Sequence, residues 1–431
     1  MKDSRKRLAQ TLNHIEPEKV VVDLGSTSVT GINADALARL RNAMGMNGAK
    51  IKIGEPFQLL GEVDEDLRDR LGIDCVQVPP VSTLFGFSTE GRKPWTMQSG
   101  LEVDVPTDFN TTVDDAGRTY IYPCGDTSVE PGAVMPKGGF YFDNITRGNL
   151  DDFDETTDSA REDFKDDYGV YTDEQLRILE KNCNDLYENS DCGLVYAAAL
   201  ISLGDFAIMQ GPHVKHPKGI RDLSDLMMAH KIAPQYVHDV YGLHAEAGMK
   251  NAKLLYEACG NKLQAVYISG TDFGMQHAAF MPVEDFREFY KPHYKRMNDW
   301  IHANTEWKSF HHSCGAVTSF LDDFVDCGVD ILNPVQLSAT GMDAKMLKEK
   351  YGDKLVFWGG GVDTQKTLPF GTPEEVYEEV LERLKIFAPG GGYVFNSIHN
   401  IQGPTEAENI LAMFKAVDDY NKMRAKELQS K

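Results

Sequence analysis

Residues 309–336 read SFHHSCGAVTSFLDDFVDCGVDILNPVQ and show the repeating unit from which the fold can be inferred. A short apolar run, Ser309–His312, is followed by a segment of helical periodicity, Val317–Cys327, and then by a second apolar run, Asp330–Pro334. Strands that are buried on both faces of a parallel sheet read as nearly continuous apolar runs. The stretch therefore predicts a strand, a connecting helix and a second, parallel strand.

The same pattern recurs along the whole chain and predicts eight strands separated by helical segments. Several of these segments open with a capping residue followed by proline or an acid, as in Thr372-Pro373-Glu374-Glu375. Eight such units indicate an α/β fold, a closed (β/α)8 TIM barrel whose active site lies at the C-terminal ends of the strands. An open, doubly wound sheet is the alternative, although no glycine-rich dinucleotide fingerprint follows the first run. The predicted strands are Val20–Leu24, Cys75–Val78, Leu194–Leu200, Ala265–Ser269, Ser309–His312, Asp330–Pro334, Leu355–Trp358 and Tyr393–Asn396.

The long gap between the second and third predicted strands is interpreted as an insertion, at about residues 83–170, into a single domain that spans residues 1–431. Within Thr83–Asn149, weak alternation and turn pairs such as Glu90-Gly91 predict β-hairpins. The tract Asp151–Asp167 holds nine acidic residues and few apolar ones. It is expected to be a solvated connector.

The composition excludes several classes of function. The 44 Lys and Arg residues are outnumbered by 66 Asp and Glu residues, which gives a net charge of −22. Such an acidic surface disfavours nucleic acid and anionic membranes as partners. The seven cysteines lack the dense spacing of a disulfide scaffold, and no apolar stretch has the length of a membrane span or the form of a signal peptide. We therefore expect a cytoplasmic protein with reduced thiols.

The candidate metal ligands His312 and Cys314 lie at the end of the fifth predicted strand. Because they are two residues apart, their side chains project on the same face of an extended backbone. An imidazole and a thiolate together are typical zinc ligands. The alternative is a buried cysteine beside an ordinary polar histidine, since this spacing is short and common.

Three further polar residues follow other strands of the predicted barrel. His399 leaves the eighth strand, where it could face His312 and Cys314 as a third ligand or contact the substrate; the alternative is a histidine that caps a helix or fixes the loop. Asp272 follows the fourth strand and Gln336 the sixth, so both are expected at the barrel mouth as groups that orient a substrate. A single aspartate in such a place also commonly caps the next helix.

Several segments together resemble the uroporphyrinogen decarboxylase superfamily. They are Asp272-Phe273-Gly274-Met275-Gln276, the run PVEDFREFYKPHYKRM at residues 282–297, the C-terminal strand Gly392–His399, and the loop and helix start Pro404–Ile410. True decarboxylases of that superfamily are metal-free and carry an arginine-rich segment near the first strand. Here residues 23–31 read DLGSTSVTG, without arginine. The resemblance thus favours the methyltransferase-like branch.

On that branch, the histidine and cysteine that correspond to His312 and Cys314 bind zinc, and the third ligand is typically a cysteine where this chain has His399. The resemblance implies a zinc-dependent methyltransferase that exchanges a methyl group between a small substrate and a corrinoid carried by a partner protein. His312, Cys314 and His399 would hold the zinc, and Asp272, Gln336 and His399 would orient the substrate. Two alternatives remain open: a cofactor-free decarboxylase of a small or tetrapyrrole-like carboxylate, and a non-catalytic binding barrel.

Overall fold

A computed structural model describes residues 2–46, 48–148, 150, 153–154 and 159–429 of the chain. In this part, eight parallel strands form one sheet that curls into a barrel with the helices outside. Each predicted strand corresponds to an observed one, so the (β/α)8 fold is confirmed. The third differs most, because its chain leaves the sheet after Tyr196 and forms a 3₁₀ turn at Ala199–Ile201. The strands are β1 (Val21–Val22), β2 (Cys75–Gln77), β3 (Gly193–Tyr196), β4 (Leu263–Ser269), β5 (Lys308–His312), β6 (Ile331–Asn333), β7 (Val356–Trp358) and β8 (Tyr393–Phe395).

The barrel is closed at the seam between β1 and β2 by a side chain. The hydrogen-bonded order of the strands is β1-β8-β7-β6-β5-β4-β3-β2. At the remaining seam, the N–H of Asp74 donates to the carbonyl of Val22 at 2.8 Å, and the N–H of Val22 donates to Oδ2 of Asp74 at 3.0 Å. Arg7 neutralises the buried Asp74 carboxylate with a 2.6 Å ion pair. The Asp74 carboxylate thus accepts a hydrogen bond that a backbone carbonyl would accept in a continuous parallel ladder.

Helices fill the gaps between the strands, as the periodicity predicts. The predicted cap at Thr372 is present, and its side chain and that of Glu375 form a reciprocal capping box. A π-helical segment, Phe286–Tyr290, interrupts the helix that follows β4. The α-helices are Asp3–Leu12, Ala34–Ala43, Glu65–Leu71, Ala160–Asp163, Asp173–Asn189, Phe206–Met209, Leu223–Ile232, Pro234–Cys259, Val283–Asp285, Lys291–Asn304, Leu321–Asp326, Ala344–Tyr351, Thr367–Phe370, Pro373–Phe387 and Ala407–Gln429.

The apolar core has an inner and an outer layer. Side chains from alternate strand positions fill the barrel, among them Val21, Val195, Phe310 and Trp358, while a larger cluster packs the strands against the helices. The N-terminal helix covers the bottom of the barrel, where Leu8 packs so closely that Gly193 has no room for a side chain. The bottom is thus filled by packing, and the opposite end is left for function.

The predicted insertion is β-rich and forms two accessory sheets. One is antiparallel and lies wholly within it, with strands Thr111–Val113, Thr119–Ile121, Ala133–Met135 and Asp143–Asn144. The other joins Arg92–Thr96 and Glu102–Pro106 to the hairpin Ile51–Glu55 and Leu60–Gly61, which lies between β1 and β2. The sequence analysis did not predict this hairpin. The accessory region therefore draws on two barrel connections.

The acidic tract Asp151–Asp167 is not wholly a solvated connector. Its residues 151–152 and 155–158 lie outside the described part of the chain. Its described end contains the helix Ala160–Asp163 and the buried Asp167, which pairs with Arg221 at 2.6 Å and 3.0 Å. The local composition concealed this because the partner is 54 residues away.

The cysteines and the hydropathy of the helices can also be compared with the expectations from the sequence. All seven cysteines are free thiols. Across the ranges that the structure covers, no helix combines the length and the apolar character needed to cross a bilayer. The single-domain organisation remains a prediction.

Candidate active site at the barrel mouth

A cavity of about 270 Å³ opens at the C-terminal ends of the strands. One wall, here called the C-terminal wall, is made of Tyr267, Gly270, Asp272, His312 and His399. The facing side, the N-terminal wall, comes from the connections of the first three strands. Its members are Ser28, Val29, Gly54, Glu55, Phe57, Gln58, Gln77, Pro80, Ser82–Leu84, Ala197–Ala199, Ser202, Asp205, Ala207 and Ile208. The cavity is where a barrel enzyme places its substrate.

His312 is the last residue of β5, and the lone pair of its Nε2 faces Cys314. Its Nδ1 lies 2.6 Å from Oδ1 of Asn333, whose Nδ2 donates to the carbonyl of Trp358 at 2.8 Å. Because the Asn333 amide is fixed by that second bond, its oxygen faces His312 and must accept. His312 therefore carries its proton on Nδ1, and Nε2 is free to bind a metal.

Cys314 reaches the same point from the loop that follows β5. Its Sγ is 3.3 Å from Nε2 of His312, and its N–H donates to Oδ1 of Asp272 at 2.7 Å. The next residue, Gly315, has a φ of 87° and packs against the backbone of Gly274, so that a Cβ there would collide with it. This glycine lets the chain turn so that the thiol faces the histidine.

His399 completes a three-residue cluster from the loop after β8. Its ring centroid is 5.3 Å from that of His312, and one ligand atom from each of His312, Cys314 and His399 lies within 4.8 Å of the others. Zinc bonds of about 2.3 Å to sulfur and about 2.0 Å to nitrogen would hold tetrahedral ligand atoms roughly 3.3–3.6 Å apart. Cys314 Sγ and His312 Nε2, 3.3 Å apart, lie in this range. The ligand atom of His399 lies within 4.8 Å of both, so the three donors fit zinc if the His399 side chain moves closer.

The electrostatics of the cluster suit a bound cation. Burial lowers the pKa of His312 to about 4 and that of His399 to about 4, so both imidazoles are neutral at physiological pH and available as ligands. Burial and the nearby Asp272 carboxylate raise the pKa of the Cys314 thiol well above its usual value. A cation between these three groups would reverse that effect on the thiol.

The two remaining predicted residues, Asp272 and Gln336, differ in their position relative to the cavity. Asp272 lines the cavity, with Oδ1 3.8 Å from Nε2 of His312. Gln336 is 9% exposed and is not among the lining residues. Its Oε1 accepts from the N–H of Gly315 at 2.8 Å, and its Nε2 donates to Gln276 at 3.1 Å. Both ends of the amide are thus used to hold the loop that carries Cys314, and a direct substrate contact stays an untested prediction.

Four residues of the site were not singled out from the sequence. Asn333 orients His312, and Tyr267, Asp205 and Glu55 line the cavity. Burial raises the pKa of Asp205 to about 6 and that of Glu55 to about 7. Asn333 lies near the end of a predicted strand and Asp205 follows another, which was an available signal. Glu55 had none, because it comes from the hairpin that the sequence did not predict.

The comparisons with known proteins agree with this geometry. Residues 217–420 match the family described as uroporphyrinogen decarboxylase (URO-D). A segment of 94 residues is 32% identical to the uroporphyrinogen decarboxylase of Pseudoalteromonas translucida (strain TAC 125). That segment covers 20% of this chain and only 26% of the relative.

The solved structure of a methyltransferase from Methanosarcina mazei is similar over 97% of this chain and 99% of its own, with a TM-score of 0.56. At 15% sequence identity this similarity supports the fold. The fold and site define a barrel protein with a polar, metal-compatible mouth. The family model matches slightly less than half of the chain, residues 217–420, and this match agrees with the resemblance to the uroporphyrinogen decarboxylase superfamily.

Proposed function

We propose that this protein is a zinc-dependent methyltransferase that exchanges a methyl group between a small substrate and a corrinoid bound to a partner protein. The observation that carries the proposal is the convergence of His312, Cys314 and His399 on one point of the cavity. The structural neighbour from Methanosarcina mazei is named a methyltransferase, which is compatible with this proposal.

The chain supplies a site for both metal and substrate. His312, Cys314 and His399 would hold the zinc, which supplies a Lewis acid able to polarise a thiol, hydroxyl or ether oxygen. Asp272 faces the same space and would orient the substrate, while Asn333 keeps the proton of His312 on Nδ1. Gln336 would act by holding the loop of Cys314.

The decarboxylase alternative has less support. A decarboxylase must hold at least one substrate carboxylate, and a tetrapyrrole-like substrate carries several. The described lining residues include Glu55, Asp205 and Asp272 but neither lysine nor arginine. An anion would therefore enter against like charge, without an ion-pair partner.

Metal analysis combined with a methyl-transfer assay tests the proposal. The purified protein should contain one zinc per chain and should accelerate methyl transfer from methylcobalamin to 2-mercaptoethanol, followed by the cobalamin absorbance. In this reaction the thiolate electron pair forms the new S–C bond, and the Co–C electron pair stays on cobalt as Co(I). Protein that binds no zinc and gives no transfer with methylcobalamin would contradict the proposal, and carbon dioxide release from a carboxylate would favour the alternative.

His399 is the ligand that most needs a separate test. His399→Ala should lower the zinc content together with the activity, because only two protein ligands would remain. If zinc stays stoichiometric and only the activity falls, His399 contacts the substrate and another group completes the metal site.

A further inference from the structure

The cavity that faces the metal cluster is acidic and has no counter-ion of its own. Glu55 and Asp205 on the N-terminal wall and Asp272 on the C-terminal wall line it, and the described lining contains no lysine or arginine. His312, His399 and Tyr267 are the other titratable groups there, and burial keeps all three neutral. The charged side chains of the described lining are therefore all carboxylates.

Three other buried carboxylates of this chain have basic partners, whereas the buried Asp23 accepts from neutral donors, the N–H of Ser26 and the indole N–H of Trp358. Asp74 pairs with Arg7 and Asp167 with Arg221, each at 2.6 Å, and Asp323 pairs with Lys291 at 2.7 Å. Burying a carboxylate without such a partner is costly.

The two carboxylates of the N-terminal wall have only neutral hydrogen-bond donors. Oδ1 of Asp205 accepts from the N–H of Ala207 at 2.9 Å, and Oδ2 accepts from the hydroxyl of Ser202 at 3.2 Å. The carboxylate of Glu55 accepts from the N–H groups of Phe57 and Gln58 at 2.8 Å and 2.7 Å. Each carboxylate is thus held in place, yet its charge is not compensated by any described neighbour in the lining.

Tyr267 provides an independent sign of a ligand. Its side chain is 6% exposed and lines the cavity, and its hydroxyl makes no hydrogen bond within the described part of the chain. Its hydroxyl and Oδ2 of Asp205 converge on Gly270, where a Cβ would collide with both. This hydroxyl opens into the cavity and is therefore free to form a hydrogen bond with a ligand there. Tyr267 and Phe57 also offer aromatic rings, which attract cations.

We infer that the substrate of this site carries a positively charged nitrogen that binds between Asp205, Glu55 and the Tyr267 hydroxyl. This inference rests on the proposed function, which concerns the other end of the substrate. There, an oxygen or sulfur atom would exchange the methyl group at the metal cluster. The charged nitrogen is not itself the reacting atom, since an ammonium has no lone pair to give to a Lewis acid. The N-terminal wall thus determines substrate class, and the C-terminal wall the reaction.

Three small ethers of similar size and different charge test the inference: 2-methoxyethylammonium, 2-methoxyethanol and methoxyacetate. We would titrate each into the zinc-loaded protein by calorimetry at about pH 8 and constant ionic strength. The cation should bind at least about tenfold more tightly than the neutral ether, because charge-assisted hydrogen bonds are stronger than neutral ones. Methoxyacetate should bind more weakly than the neutral ether.

Two variants locate the charge preference. Asp205→Asn and Glu55→Gln should each weaken binding of the cation by about tenfold and change binding of the neutral ether by less than about twofold. Asp353→Asn, which alters an exposed carboxylate outside the cavity, is the matched control and should change neither. Because Asp205 also caps the short helix Phe206–Met209, circular dichroism of that variant accompanies the calorimetry.

Equal affinity for the three probes, or tightest binding of methoxyacetate, would overturn the inference, and so would a cation preference that survives both variants. If a variant does not fold, the ranking of the three probes with the unaltered protein decides alone. The outcomes separate this inference from the proposed function. Protein that binds zinc and transfers methyl groups without a charge preference refutes only the substrate class. Protein that prefers the cation but neither binds zinc nor transfers methyl groups refutes only the reaction.

Discussion

The two walls of the cavity differ in how they are built. The reacting groups of the C-terminal wall stand at or just after the ends of β4, β5 and β8, where the parallel ladder fixes the backbone. Its residues all fall within the stretch 217–420 that matches the superfamily. The N-terminal wall lies outside that stretch and comes from loops and an accessory hairpin. Under the proposed function, the C-terminal wall would supply the reaction and the N-terminal wall would select the substrate.

This division has a physical basis in the stiffness of each wall. A metal cluster needs ligand atoms placed to within a few tenths of an ångström. His312 ends a strand, and Cys314 and His399 lie in loops within a few residues of strand ends, so the barrel limits their movement. Substrate selection tolerates looser positioning, and loops accept changes at lower cost. Changes in the C-terminal wall should therefore remove activity outright, whereas changes in the N-terminal wall should alter affinity or stability.

The largest effect is expected for Cys314→Ala. Loss of the thiolate leaves His312 and His399 alone, so bound zinc should fall below stoichiometry and methyl transfer should drop by about 10⁴-fold or more, equivalent to about 5.5 kcal/mol. The fold should persist because Cys314 lies in the loop at the mouth and not in the packed layers. Zinc analysis, the cobalamin assay and circular dichroism measure the three quantities.

The matched control for that variant is Cys124→Ala, since Cys124 is an exposed thiol of the accessory region. It should retain both zinc and activity. Full activity of Cys314→Ala in zinc-free protein would show that the cluster of His312, Cys314 and His399 does not act through a metal.

A second prediction concerns the ion pair that ties the two parts of the chain together. Arg221 lies inside the superfamily match and Asp167 outside it, and both side chains are almost fully buried. Asp167→Asn would leave the guanidinium buried without its charge partner, which should lower the free energy of unfolding by about 3–5 kcal/mol. Zinc content should not change, because no described hydrogen bond joins this pair to the metal cluster.

Denaturant unfolding measures this loss. Asp185→Asn removes an exposed helical ion pair with Lys181 and should cost no more than about 0.5 kcal/mol. Similar losses for the two variants would mean that the buried pair does not hold the N-terminal part against the barrel.

The difference between the two walls of the cavity also explains how much of the site could be predicted from the sequence. The strands of the barrel, and with them His312, Cys314, Asp272 and His399, follow from local periodicity plus the rule that barrel sites lie at C-terminal strand ends. The hairpin at 51–61 could not be predicted, because its position depends on the long-range pairing of Ile51 with Val103. Glu55 enters the cavity only through that pairing.

Two residues show why a position at the end of a strand is not enough to assign a role in the site. Gln336 follows β6 as expected, but its amide is used by Gly315 and Gln276. Asp205 follows β3 and resembles an ordinary helix cap, which it is, yet its carboxylate also lines the cavity. Only the three-dimensional contacts distinguish these roles.

A third and smaller effect is expected for Asn333→Ala. Without the amide, the proton of His312 is no longer fixed on Nδ1, and the ring can rotate away from Cys314. Zinc affinity should fall by about 10- to 100-fold, as is typical when a residue that orients a metal ligand is removed. Competition with a chelator measures the affinity. An unchanged value would show that the cluster does not depend on the orientation of His312.

The smallest effect tests the N-terminal wall through pH. Burial raises the pKa of Glu55 from about 4.5 to about 7, and the N–H groups of Phe57 and Gln58 oppose this only in part. Between these two values the folded protein holds a proton that the unfolded chain has lost. The contribution of Glu55 to the free energy of unfolding therefore decreases as the pH rises from about 4.5 to about 7. Since Glu55 is partly open to the cavity, its share should be on the order of 1 kcal/mol.

Denaturant unfolding at several pH values, with and without Glu55→Gln, isolates this contribution. Residue 55 of the variant cannot titrate, so the free energy of unfolding of the unaltered protein should fall relative to that of the variant as the pH rises over this window. The other titratable groups of the cavity, Asp205, Asp272, His312 and His399, are present in both proteins and cancel in the difference between the two slopes. Parallel slopes would mean that Glu55 is already ionised in the folded protein at low pH. In that case a cation would have to lie beside the Glu55 carboxylate, and the negative charge of the N-terminal wall would be compensated.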